Sequence, residues 1–250
     1  MGESCLSRSA DLGGTKEPAE LLVIIPAFNE QGNILRVVRE IQDELPVADI
    51  LVINDCSEDR TGLMARNVPD VRVIDLPCNL GIGGAMQTGF KYAMREGYRY
   101  AVQIDGDGQH LPQEVPKLLQ TMQEKRCDMV IGSRFLEVES FRTTWCRRLG
   151  IRFFDLLFRT LVNLRITDST SGFRLYNRKS LEVLSRHYSS DYPEPDAIVL
   201  LKKNGLRICE TGVTMREREH GCSSITPIKS PYYMAKVVLT ILFSCARPRR

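Results

Sequence analysis

The sequence predicts an α/β fold: a mostly parallel central sheet flanked by helices. Three observations lead there. Short continuous apolar runs alternate with segments of helical period from Leu21 to Gly132, as expected of strands covered on both faces and joined by crossover helices. Polar clusters fall at the carboxyl ends of those runs, where ligands bind in such sheets. At 250 residues, 43% hydrophobic and 26% charged, the chain suffices for one large domain with a substantial core.

Leu21-Leu22-Val23-Ile24-Ile25-Pro26 reads as the first strand. A helix over 33–45 follows, with Ile34, Val37, Val38, Ile41 and Leu45 at helical spacing. The second strand, Asp49–Asn54, ends in Asp55-Cys56-Ser57-Glu58-Asp59-Arg60-Thr61-Gly62 and a short helix. A third strand over 71–76 leads into Asn79-Leu80-Gly81-Ile82-Gly83-Gly84-Ala85 and a helix through Glu96. The fourth, over 100–104, delivers Asp105-Gly106-Asp107-Gly108-Gln109, and a helix over 114–124 and a strand over 128–132 come next. Beyond Arg134 the alternation loosens. Residues 145–164 are basic, aromatic and helical in period, 168–178 read as a polar loop, and 180–185 as a short helix. A Pro-rich acidic turn over 191–196, a helix over 196–204 and a strand over 207–215 complete the pattern. The expected organisation is a disordered tail at 1–19, one domain at 20–225, and a C-terminal extension at 226–250.

Composition narrows the function classes. A net charge of +3 is too small to argue for nucleic acid by itself, although basic residues cluster over 142–152 and 247–250. The first 19 residues lack the apolar core of a secretory signal, and Leu6 stands where a myristoylation site wants Ser or Thr. No stretch reaches the roughly 20 apolar residues that span a bilayer. Residues 232–246 are short, apolar apart from Lys236, and followed by Arg247, Arg249 and Arg250. Such a segment suits a helix lying in a membrane interface, and equally a core helix or one docking on a membrane-protein partner. The eight cysteines show neither Cys-x-x-Cys nor zinc spacing. Read as free thiols in apolar settings, they point to a reducing compartment, the cytoplasm.

The acidic stretch carries the chemistry. Alternate residues of an extended segment point the same way, so Asp105, Asp107 and Gln109 converge as oxygen donors suited to a hard divalent cation. Gly81-Ile82-Gly83-Gly84 places a glycine-rich turn where backbone N–H groups meet a phosphate. Met86 occupies the third glycine position of the dinucleotide fingerprint, and no Gly-Lys-Ser/Thr follows, so neither a dehydrogenase nor a P-loop is indicated. His110 and Pro116 stand where an EF-hand needs Gly and Glu. A phosphatase Asp-x-Asp would sit in the first strand, whereas here the motif arrives fourth.

Pro26-Ala27-Phe28-Asn29-Glu30, Asp55-Cys56-Ser57, Asn79-Leu80-Gly81 with Gly83, and Asp105-Gly106-Asp107 occur in that order. Together they resemble the family 2 glycosyltransferases, whose nucleotide-diphosphosugar transferase fold is called GT-A. The closest likeness is to the dolichol- or polyprenyl-phosphate sugar synthase branch. Gly132-Ser133-Arg134-Phe135 and Asp168-Ser169-Thr170-Ser171-Gly172-Phe173-Arg174 extend it.

The resemblance implies roles position by position. Pro26, Phe28 and Glu30 would hold base and ribose, Asp55 would accept from the base, and Gly81 and Gly83 would permit close approach. Asp105 and Asp107, with Gln109 as a further ligand, would hold Mg²⁺ or Mn²⁺ on the diphosphate. Arg134 and Arg174 would face the diphosphate and acceptor, with Arg218 from a later motif. That motif departs here, with Cys222 for Glu and Ser224 for Lys. The segment Tyr192-Pro193-Glu194-Pro195-Asp196 also departs, offering Glu194 or Asp196 as a general base for a hydroxyl acceptor. The implied activity is metal-dependent, inverting transfer from a UDP- or GDP-linked sugar to a polyprenyl phosphate in cell-envelope glycan synthesis. Its implied place is cytoplasmic, peripheral at the inner face of the membrane. A lipid-linked hydroxyl acceptor and a non-catalytic nucleotide-sugar-binding subunit are the alternatives.

Overall fold

The structure, a computed structural model, describes residues 20–136, 158–160, 163–189, 193–216 and 238–239. Among these, Leu21–Ala27 (β1), Asp49–Asn54 (β2), Val71–Asp75 (β3), Tyr100–Gln103 (β4), Met129–Ser133 (β5), Arg174–Asn177 (β6) and Ile208–Gly212 (β7) form one sheet. Its spatial order is β3-β2-β1-β4-β6-β5-β7. All neighbouring pairs are parallel except those of β6, which runs antiparallel to both β4 and β5. The helices are Ile34–Glu44 (α1), Thr61–Arg66 (α2), Gly81–Glu96 (α3), Val115–Lys125 (α4), Arg178–His187 (α5) and Pro193–Lys203 (α6).

Because strand residues alternate faces, each apolar run feeds two cores. Val23 and Ile25 pack with Val37, Ile41, Leu118 and Met122 on the α1 and α4 side. Leu22 and Ile24 pack with Met86, Phe90, Leu181 and Ile198 on the α3, α5 and α6 side. The α3–β1 contact is close enough to require a glycine, since a Cβ on Gly89 would meet Ile24 Cγ2 at 2.5 Å.

β1 and β4 are neighbours, yet the chain leaves β1 toward β2 and β3 and leaves β4 toward the opposite edge. This is a topological switch point, and it opens a crevice beyond the carboxyl ends of β1 and β4.

Three expectations are corrected. The polar loop expected over 168–178 contains β6, whose four residues are too few for a period-2 signal and begin with an arginine. The acidic turn expected before Asp196 is the first turn of α6, which opens at Pro193. Proline is tolerated there because the first N–H groups of a helix have no intrahelical acceptor. Cys127 and Cys209, expected as free thiols, are joined in a disulfide with Cα atoms 6.1 Å apart. That removes part of the cysteine-based argument for a reducing compartment. Most of the basic aromatic segment at 145–164, Arg218 with its motif, and nearly all of the C-terminal extension lie outside the described residues. No helix among the described residues is long and apolar enough to cross a membrane.

Candidate active site

The loops leaving β1 and β2 are bonded to one another. Asn29, with φ of 56°, donates its N–H to Ser57 Oγ at 3.0 Å, and its Oδ1 accepts from Glu58 N at 2.9 Å. Glu30 N donates to Thr61 Oγ1 at 2.8 Å, and Gln31 N to Asp59 Oδ2 at 3.1 Å. Asp59 also takes the Thr61 N–H and hydroxyl, the latter in a very short contact. Against the cost of burial, these donors lower the Asp59 carboxyl pKa. The frame fixes Pro26 within β1 and leaves Phe28 44% exposed, a ring face open to stacking. Glu30 accepts from Asn33 Nδ2 at 2.8 Å, and its carbonyl accepts from Asn33 N and Ile34 N as α1 begins.

Asp55 is buried at the end of β2, and its Oδ1 accepts from Leu80 N at 2.7 Å. The side chain expected on the base thus also anchors the turn into α3. Gly81 opens that helix with φ of +72°, and Gly83 is buried in its first turn.

At the end of β4 the acidic turn folds onto β1. A Cβ on Gly106 would lie 3.4 Å from the Pro26 carbonyl and from Glu30 Cγ. Gly108, with φ of +78°, faces the Arg36 guanidinium, which would lie 2.5 Å from an added Cβ. Asp107 is buried, and its Oδ1 accepts from Gln109 N at 3.0 Å, so both belong to one tight turn. Asp105 is held from two sides. Gln103 Nε2 donates to its Oδ1 at 2.9 Å, and Asp105 N donates to His110 Nδ1 at 3.1 Å. His110 is buried and stacks on Phe173 at 5.0 Å. Asp105, Asp107 and Gln109 present oxygen donors only, the set a hard divalent cation takes. Among the described residues no group of three or more His, Cys, Asp or Glu side chains gathers. The set therefore fits a cation that keeps oxygens from a diphosphate and water, as Mg²⁺ does, and a caged structural ion fits it poorly.

The arginines have different settings. Arg134 forks onto Asp168, with Nε to Oδ2 and Nη2 to Oδ1 both at 2.7 Å, and Nη2 reaches Thr170 Oγ1 at 3.3 Å. Burial works against its charge, but Asp168 and the more distant Asp105 outweigh it and raise its pKa. Its Nη1 has no hydrogen-bond partner among the described residues. Arg174 has no exposed surface. Its guanidinium donates to the carbonyls of Ser171 at 2.7 Å, Glu194 at 2.7 Å and Ser169 at 2.8 Å. The expected acceptor-facing role for Arg174 gives way to a structural one, because every arm of the fork is occupied by backbone.

Glu194 lies in the first turn of α6, partly buried, with Asp196 buried beside it. Burial raises the Glu194 carboxyl pKa, opposed by the Arg174 charge and reinforced by Asp105. The Asp105 charge thus reaches Glu194, though more weakly than that of Arg174. Arg216, at the end of the described segment, donates to both oxygens of Glu40 at 2.8 Å, and its N–H bonds the Gln109 carbonyl at 2.9 Å.

Several contributors were not expected from sequence. Gln103, His110 and Gly172 pack around Asp105, Asp168 sets Arg134, and Glu210 of β7 accepts from Thr167 N and Asp168 N. Gln103 alternates in phase with Asp105 and Asp107, and His110 directly follows Gln109, so adjacency to the acidic motif could have suggested both. Nothing local marks Glu210.

Comparison with known proteins follows the same lines. Residues 22–185 match the family described as Glycosyl transferase family 2. The chain is 34% identical to polyprenol monophosphomannose synthase of Mycolicibacterium smegmatis, covering 86% of each protein. It is 32% identical to undecaprenyl-phosphate mannosyltransferase of Micrococcus luteus, covering 82% of this chain and 87% of that one. Among solved structures, glucosyl-3-phosphoglycerate synthase from Mycobacterium tuberculosis, in complex with Mn²⁺, UDP-glucose and phosphoglyceric acid, superposes with a TM-score of 0.70 at 20% identity. That alignment covers 91% of this chain and 80% of the other, and the likeness shows the fold.

Proposed function

The chain belongs to glycosyl transferase family 2, as an enzyme of GT-A fold resembling the polyprenyl-phosphate sugar synthase branch, and we propose that it moves a sugar from a UDP- or GDP-linked donor to a polyprenyl phosphate. The observation that carries this reading is the packing of Asp105-Gly106-Asp107 onto the Pro26–Glu30 loop at the β1/β4 switch point. Two relatives named for polyprenol and undecaprenyl-phosphate mannosyl transfer support the acceptor.

In this reading Phe28 stacks on the base, and the second oxygen of Asp55 accepts from it. Gly81 and Gly83 let the α3 turn approach the diphosphate. Asp105 and Asp107, with Gln109, would hold Mg²⁺ or Mn²⁺, which would supply charge neutralisation for the departing nucleoside diphosphate. Arg134 orients a phosphate through the arm that Asp168 leaves over. Arg218 is the further candidate for the acceptor phosphate. An acceptor phosphate is already anionic, so no protein base is required, and direct displacement at the sugar's C1 inverts its configuration. The basic C-terminal extension supports a place at the cytoplasmic face of the membrane, in cell-envelope glycan synthesis. The partner there is the membrane surface or a membrane protein, and no nucleic acid is involved.

A second reading rests on Glu194. A carboxyl whose pKa is raised by burial is a stronger base, and this suits deprotonation of an attacking hydroxyl on a lipid-linked acceptor. Asp196 is the alternative base.

The test measures nucleoside diphosphate release with Mn²⁺, a donor panel and polyprenyl phosphate in detergent. Asp107→Ala should lower turnover about 100-fold or more, since metal charge stabilisation is worth several kcal/mol. Equal rates for wild type and variant with every donor would reject the metal assignment. Transfer only to hydroxyl acceptors, lost in Glu194→Gln, would favour the second reading.

A further inference from the structure

Arg134 directly follows β5, and its Nη1 has no hydrogen-bond partner among the described residues. Its orientation is that of Asp168, whose side chain is fully buried and takes three donors from Arg134: N at 3.2 Å, and Nε and Nη2 at 2.7 Å. Asp168 is in turn fixed by its backbone, and that backbone is held from the edge strand β7. Glu210 Oε2 accepts from Thr167 N at 2.8 Å, and Oε1 accepts from Asp168 N at 2.9 Å. The Thr167 hydroxyl lies 3.2 and 3.3 Å from the two Glu210 oxygens and 2.8 Å from Ser133 Oγ. Ser133 closes the circuit, accepting from Phe135 N at 3.2 Å one residue beyond Arg134.

We propose that Glu210 is a positioning residue: through the Thr167–Asp168 backbone it sets the Arg134 guanidinium that meets a substrate phosphate. The inference rests on the reading of Arg134 as a phosphate contact. A carboxylate suits this place because it accepts two backbone N–H groups at once, one on each oxygen. Glutamine has the same shape but a single acceptor oxygen, so its NH₂ would oppose one of those N–H groups. Burial raises the Glu210 carboxyl pKa, and the donors from Thr167 and Asp168 hold that rise in check. Glu210 touches neither substrate nor metal; it acts at two removes.

The experiment is a double-substitution cycle on the full chain, with Glu210→Gln, Arg134→Ala and both together. The readouts are kcat/KM for polyprenyl phosphate at saturating donor, and calorimetric affinity for UDP or GDP with Mn²⁺. Glu210→Gln should lower kcat/KM about 10–100-fold, the usual effect of losing an outer-shell partner. Nucleotide affinity should stay within about 2-fold. In the Arg134→Ala background the same change should cost less than about 3-fold, because residues acting through one group are non-additive. Equal losses in both backgrounds, or a matching fall in nucleotide affinity, would overturn the proposal while leaving the glycosyl-transfer reading intact. Should Glu210→Gln fail to fold, Thr167→Val removes only the hydroxyl and enters the same cycle, with a smaller loss and the same non-additivity expected. No turnover by wild type with any donor overturns the functional reading and this inference with it.

Discussion

Replacing Gly172 with alanine is expected to weaken divalent-cation binding in a protein that still folds. Gly172 has no left-handed φ, so an alanine backbone fits and any effect comes from the new methyl group. That Cβ would lie 2.8 Å from Gln103 Nε2 and 3.0 Å from Asp105 Oδ2, both inside ordinary contact. Gln103 is fully buried and already donates to Asp105 Oδ1 at 2.9 Å, so it cannot swing aside without breaking that bond. Asp105 is the partner with open space, its side chain being 28% exposed, and it is the group that must move by a few tenths of an ångström. Metal–oxygen bonds tolerate only about ±0.2 Å, so Mn²⁺ affinity should fall about 10-fold, or about 1.4 kcal/mol. Overpacking should cost about 1–3 kcal/mol of stability, a Tm lower by about 2–12 °C for a chain of this size. Calorimetric titration of Mn²⁺ in the presence of UDP reads the first effect and a thermal melt the second. Gly32→Ala is the comparator, since nothing lies within 4 Å of its added Cβ. A lower Tm with unchanged Mn²⁺ affinity would refute Asp105 as a ligand.

Two other predictions concern stability. Burial raises the Glu194 pKa above the ordinary 4.5 of a glutamate, so ionisation opposes folding. Its contribution is fully favourable below about pH 4.5 and is lost as pH rises through the folded value. Glu194→Gln should therefore match wild type near pH 4 and gain on it toward pH 8; a Tm difference independent of pH would contradict this. Reducing Cys127–Cys209, which closes a loop of sequence separation 82, should cost about 2–4 kcal/mol. Tm with and without reductant measures that loss, and mass analysis after alkylation should show Cys127 and Cys209 protected until reduction.

The sheet was legible because its signals are local. β1, β2 and α3 follow from apolar runs, helical spacing and glycines, and their ends differ from expectation by a residue or so. The acidic turn was legible for the same reason, since strand, glycines and carboxylates are contiguous. β6 was not, because its antiparallel place between β4 and β5 is set by partners more than 40 residues away in sequence, such as Ile131 beside Arg174. The disulfide was equally hidden: its cysteines are brought together by the pairing of β5 with β7.

Arg134 and Arg174 come from similar polar stretches, and only tertiary context separates them. For Arg174 to reach a phosphate it would have to abandon the carbonyls of Ser169, Ser171 and Glu194, and each buried acceptor left unpaired costs about 1–3 kcal/mol. Arg134 already faces a carboxylate, is 21% exposed, and keeps its pairing with Asp168 while offering Nη1. Of these two arginines, Arg134 is therefore the one whose setting suits a phosphate. Arg174 does something else: it stands opposite Gln103 in the β4–β6 register, and Gln103 holds Asp105. Through the carbonyls of Ser169, Ser171 and Glu194, the buried guanidinium ties the 169–171 loop and the start of α6 to β6, the strand paired with β4.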